Sequence, residues 1–127
     1  MSRNPYETEA RERWGDTDAY RESQVRTSQY SEADWQRIQA ASQANIARFT
    51  AALNAGLTPE SSDAMSAAEE HRLQICEFYY ACDHAMHTNL ADMYVADQRF
   101  TDFYDQHAPG LAAYVSAAIH ANAIARA

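Results

Sequence analysis

The chain has 127 residues and a mass of 14.3 kDa, which suits one domain. Its 18 acidic residues face only 10 basic ones, all arginine, and the net charge of −8 repels phosphate backbones and anionic bilayers. Direct nucleic-acid contact and membrane binding are therefore not expected. No apolar run approaches the ~18 residues that cross a bilayer, Met1 to Pro5 lacks the apolar core of a signal peptide, and two cysteines cannot make a disulfide framework. A cytoplasmic protein is expected.

Only three glycines and three prolines interrupt the chain, and its β-branched residues never alternate as strands require. The pattern predicts an all-α fold. Pro5 can open a short helix that reaches Trp14 and stops at Gly15. Asp16, Thr17 and Asp18 offer caps for a second short helix containing Tyr20 and Val25. Residues 1–30 are polar, with few large apolar groups, and bury too little to offset about 1–2 kcal/mol of backbone entropy per residue. They read as a mobile N-terminal arm, and 31–127 as the helical core of the same domain.

Ser31 caps the first long helix, in which Trp35, Ile38, Ile46, Phe49 and Leu53 share a stripe and Gly56 is the stop. Beyond Thr58-Pro59, residues 64–80 form the next helix. Its second half, from Leu73 to Tyr80, is apolar nearly all round, which predicts a central helix or one with a face on a cavity. Asp83 caps a helix with Met86, Leu90, Met93 and Tyr94 inward. A short helix carries Phe100, Phe103 and Tyr104, and the last helix begins at Leu111.

Chemistry is weakly signalled. Asp83, His84 and His87 cluster, but the spacings of established zinc motifs are absent, and no metal or other cofactor is expected. Cys76 falls in an apolar stretch and reads as a small hydrophobe. Cys82 precedes a helix N-terminus, where the dipole can lower a thiol pKa, and is the more reactive candidate. Neither suggests an enzyme. The eight tyrosines stand out, because Tyr brings contact area and a polar handle at small entropic cost. Trp14, Tyr20 and Tyr30, on a polar arm, suit a lid that closes over a ligand or partner.

The run Arg11-Glu12-Arg13-Trp14-Gly15-Asp16-Thr17-Asp18-Ala19-Tyr20, with Tyr30-Ser31-Glu32-Ala33-Asp34-Trp35, resembles the TipAS antibiotic-recognition domain. So do Met86-His87, Met93-Tyr94-Val95-Ala96-Asp97-Gln98-Arg99-Phe100 and Ala108-Pro109-Gly110-Leu111-Ala112, in the same order over nearly the whole chain. The resemblance implies a globin-like helical domain without haem, whose arm folds over a thiopeptide- or albicidin-like antibiotic. It further implies the effector domain of a MerR-like transcription activator, or its stand-alone form that sequesters drug. The thiopeptide-binding pattern has a capturing cysteine shortly after Met-His. Asn89 follows Met86-His87-Thr88 here, and an amide does not add to a dehydroalanine, so binding is expected to be reversible.

On this reading His71, Tyr79 and Tyr80 form one wall of a groove, His87, Asn89 and Tyr94 the other, and Trp14 and Tyr20 close from the arm; Tyr94 suits the core equally well. The small-molecule antibiotic is the expected partner. Without a coiled coil, a monomer is expected. The rival reading is a protein-interaction module whose arm docks on another helix and that takes no small molecule.

Overall fold

The computed structural model describes residues 17–127. The expected helix from Pro5 to Trp14, its stop at Gly15 and the candidate Trp14 lie outside the described residues. Among the described residues there are six helices and no strand.

Local hydrogen-bond chemistry sets most helix starts. Thr17 accepts the Tyr20 N–H at 3.1 Å and opens α1 (Asp18–Thr27). α2 (Glu32–Asn54) begins with a reciprocal capping box: Ser31 Oγ accepts the Asp34 N–H, and the Asp34 carboxylate accepts the Ser31 N–H. After α2, Gly56 takes φ 76°, a left-handed turn that ends the run where the sequence places the stop. α3 (Ser62–Phe78) is capped by Ser61, and α4 (His84–Ala96) by Asp83, whose carboxylate accepts the Met86 N–H at 2.8 Å. Asp97 both closes α4 and caps α5 (Gln98–Asp105). Gly110, at φ 82°, turns the chain into α6 (Leu111–Ala125).

The central helix is α6; of the two outcomes expected for the apolar run in α3, a central place or a face on a cavity, α3 takes the second. α6 packs against α2, α3, α4 and α5, and buries Leu111, Tyr114, Val115, Ala118, Ile119 and Asn122. The physical reason is size: its alanines let four neighbours approach closely, whereas α3 carries Ser66, Glu70 and Glu77 on a solvent-facing side. Leu73, in the middle of that side, is 52% exposed. Ile38, Phe49, Leu90 and Ile119 are buried as the stripes predict, and Trp35 is half-buried, edge-on to Tyr30 with ring centres 5.6 Å apart. No helix among the described residues is long and apolar enough to cross a membrane.

Candidate functional site

Three features meet on α3: a polar hub, a histidine pair with one ring fully buried, and an open groove. The hub is Glu69. Its carboxylate accepts from Arg72 at 2.5 and 3.0 Å, His84 Nε2 at 3.0 Å and Asn122 Nδ2 at 2.9 Å, with Arg126 at 3.7 Å. One side chain thus ties α3 to α4 and α6. These donors, Arg72 foremost, hold the Glu69 carboxyl well below the usual carboxylate range against the opposing effect of burial. Arg72 also donates to the Cys82 carbonyl at 2.9 Å, fixing the turn between α3 and α4.

Behind the hub, His71 Nδ1 and His87 Nε2 lie 2.8 Å apart with their rings stacked, and Tyr94 meets His71 edge-on at 6.1 Å. His87 is fully buried and its Nδ1 has no hydrogen-bond partner. A buried lone pair without a donor costs less than a buried N–H without an acceptor. His87 Nε2–H therefore donates to His71 Nδ1, and both rings are neutral. Burial pushes His71 down to about 4; burial first, then His71 and Arg72, push His87 down to about 3.

The groove runs along the outer side of α3, has a volume of about 720 Å³, and includes Glu69, Glu70, Leu73, Cys76, Glu77 and Arg126 in its walls. Glu70 is held by Asn45 at 2.9 Å and Arg48 at 2.8 Å. At the carboxyl end of α3 the amino-terminal helix approaches. Arg26 Nη1 donates to the Cys76 carbonyl at 2.6 Å, and Tyr30 Oη donates to the Phe78 carbonyl at 2.5 Å.

The expected site residues divide into groups. His71, His87 and Tyr94 come together, with Tyr94 also packed on Phe100 and Tyr104 in the core, where the sequence allowed for it. Tyr79 and Tyr80, half-buried just beyond α3, pack on the core cluster, and burial raises both phenol pKa values. Asn89 is exposed on α4, and Tyr20 is half-buried on α1. None of these lines the groove. Of its residues, Leu73 and Cys76 fall in the apolar stretch for which a face on a cavity was one expected outcome, whereas Glu69, Glu70, Glu77 and Arg126 carried no such signal.

Two expectations need correction. Cys82 is not a reactive thiol: it is 2% exposed, burial foremost pushes it up to about 12, and its Sγ donates to the Asp83 carbonyl. Burial outweighs the helix dipole at that position. Cys76, expected to be enclosed, lines the groove and accepts the Cys82 N–H at 3.4 Å. Asp83, His84 and His87 do not converge, because they serve as a helix cap, a Glu69 donor and a His71 donor respectively.

The described residues thus form an all-α domain with an open groove along α3 and with α1 held at the groove's end. The chain belongs to the TipAS family: the TipAS antibiotic-recognition domain model matches residues 6–122. It is 51% identical over 119 residues to the HTH-type transcriptional activator TipA of Streptomyces coelicolor, covering 94% of this chain and 47% of that protein. It is 34% identical over 114 residues to the HTH-type transcriptional activator mta of Bacillus subtilis, covering 90% of this chain and 43% of that one. The chain thus spans about half the length of these relatives or less. Among solved structures, TipAS of Streptomyces lividans in complex with nosiheptide, part of a thiopeptide antibiotic multidrug resistance system, superposes with TM-score 0.89 at 48% identity. That match covers 99% of this chain and 88% of the other. The antibiotic binding domain of a TipA-class multidrug resistance transcriptional regulator matches with TM-score 0.66 at 48% identity, covering 72% and 98%.

Proposed function

We propose that this domain binds a bulky, largely apolar antibiotic of the thiopeptide or albicidin kind, reversibly and in the cytoplasm, with its amino-terminal arm closing over the ligand. The observation that carries this reading is the agreement with the nosiheptide-bound TipAS chain at TM-score 0.89 over 99% of the sequence. Two features of the site support it. The open groove along α3 lies beside the arm, and α1 buries none of its residues, so that helix has a face left to cover. In this reading Tyr20 and Trp14 close from the arm, Tyr79 and Tyr80 present rings beside α3, Asn89 offers an amide from α4, and His71, His87 and Tyr94 back them. Contact with the ligand offsets the entropy of ordering the arm. In a longer activator of the TipA kind, that ordering shifts the population of the DNA-binding form; alone, the domain sequesters drug.

The test is titration with nosiheptide followed by intact-mass spectrometry. Binding raises the melting temperature, since a ligand at one hundred times its Kd adds about 2.7 kcal/mol to the stability of the folded state. The protein mass stays that of the unmodified chain, because Asn89 stands where the thiopeptide-binding pattern has its capturing cysteine. A melting temperature unmoved by nosiheptide, albicidin and related hydrophobic natural products would favour the protein-interaction module instead; a covalent adduct would refute reversible binding.

A further inference from the structure

The last four carbonyls of a helix have no partner within it and must find donors elsewhere. In α3 the Ile75 carbonyl accepts the N–H groups of Tyr79 and Tyr80. The next three look to the arm. Arg26 Nη1 donates to Cys76 O at 2.6 Å and to Glu77 O at 3.4 Å, and Tyr30 Oη donates to Phe78 O at 2.5 Å. These bonds cross about fifty positions of sequence, so they report docking and not local folding. A guanidinium over these carbonyls also places positive charge at the negative end of the α3 dipole.

Both donors are themselves held in place. Arg26 pairs with Glu22 one turn earlier on α1. The Tyr30 ring rests edge-on against Trp35, directly before the capping box that starts α2. We infer that Arg26 and Tyr30 are positioning residues that cap the carboxyl end of α3, and so make docking of α1 and completion of the groove a single event. The link is direct, because Cys76 and Glu77, whose carbonyls Arg26 holds, also line the groove. The same turn sets Tyr79 and Tyr80, and Cys76 Sγ in turn receives the Cys82 N–H. With the arm undocked, these carbonyls turn to water and the end of α3 frays, taking the groove's end with it. A ligand that holds the arm therefore tightens α3, and a tight α3 favours the arm.

The inference deepens the proposed function and rests on it only for the ligand half of the test. Hydrogen exchange is followed in the wild type and in Arg26→Ala, Arg26→Lys and Tyr30→Phe, without ligand. In Arg26→Ala and Tyr30→Phe the amides of Tyr79, Tyr80 and Cys82 should exchange about tenfold faster, the scale of one lost charge-assisted hydrogen bond. Those of Val115 and Ile119 in α6 should not change, and Arg26→Lys, which keeps a cationic donor, should recover much of the protection. Nosiheptide should bind Arg26→Ala about tenfold more weakly and restore protection at saturation. Unchanged exchange at the end of α3, or faster exchange spread equally through α6, would overturn the capping role. Unchanged nosiheptide affinity beside faster exchange would overturn the coupling. If the wild type fails to bind nosiheptide, the proposed function fails while the exchange data still decide the capping role.

Discussion

Acid should destabilise this protein through two residues before its carboxylates titrate. His71 and His87 are both neutral and joined by one N–H···N bond of 2.8 Å, and a further proton would place an imidazolium charge against the fully buried His87. Their folded values, about 4 and about 3, lie below the 6.5 of an ordinary histidine. Below pH 6.5 the unfolded chain takes up protons that the folded chain refuses, so stability must fall as pH drops and is unaffected above that range. At pH 5.0 the refusal costs about 1.4 kcal/mol for each of 1.5 pH units, or about 2 kcal/mol per histidine and about 4 for the pair. Glu69 does not confuse the window: its carboxyl is held low, so its contribution is intact above 4.5 and fades only below. Urea denaturation followed by far-ultraviolet circular dichroism at pH 7.5 and 5.0 reads the difference. The wild type should lose about 4 kcal/mol, His87→Gln about 2, and the His71→Gln, His87→Gln double variant almost nothing from this source. Comparing each variant with itself at two pH values cancels the neutral-pH cost of the substitution. If His87→Gln loses as much as the wild type, the neutral buried pair is wrong.

The other predictions are simpler. Glu69→Gln weakens the acceptor shared by Arg72, His84 and Asn122, and should lower stability at pH 7 by roughly 2–3 kcal/mol in urea denaturation, with ligand-free α4 and α6 amides exchanging faster. Ser31→Ala removes one half of the capping box and should cost about 1 kcal/mol, seen as a lower urea midpoint with an unchanged slope. Iodoacetamide on the native protein should alkylate Cys76, which lines the groove, and leave the buried Cys82 unmodified until urea is added; peptide mapping that finds Cys82 labelled first would contradict the packing at that turn.

What could be read from the sequence followed from how far a side chain must reach. Thr17, Ser31 and Asp83 cap helices by bonds to an amide three residues on, and each was legible from its neighbours alone. Helix boundaries moved by two residues at α3, which runs Ser62–Phe78 where 64–80 was expected, because Ser61 caps first and Tyr79 and Tyr80 fold back onto one carbonyl. Long-range pairs were another matter. His71 and His87 are 16 residues apart, Glu69 and Asn122 are 53, and Arg26 and Cys76 are 50. Such partners depend on the angle at which helices cross, which no local pattern encodes. Hydrophobicity left a choice for a related reason. The apolar run from Leu73 to Tyr80 allowed either the centre of the fold or a face on a cavity; α3 takes the second, and the small alanines of α6 hold the middle.

The same distinction explains why the site was harder to read than the fold. A core needs apolar residues at a period, and many residues serve; a recognition site needs particular groups from separate elements to converge. Leu73 is the instructive case. On the helical wheel it is an apolar residue misplaced among glutamates, a flaw to a reading that seeks a core stripe. In the fold it is the apolar floor of an open groove whose end is held by a guanidinium from another helix. An apolar side chain left half-exposed in water is tolerated where something else covers it part of the time. If that cover is the ligand, Leu73→Asp should leave the fold almost intact, since little is buried there to lose, and should weaken nosiheptide binding tenfold or more, on the order of 1.4 kcal/mol. Undiminished affinity in Leu73→Asp, with the urea midpoint also unchanged, would move the ligand off this face of α3 and toward Asn89 on α4.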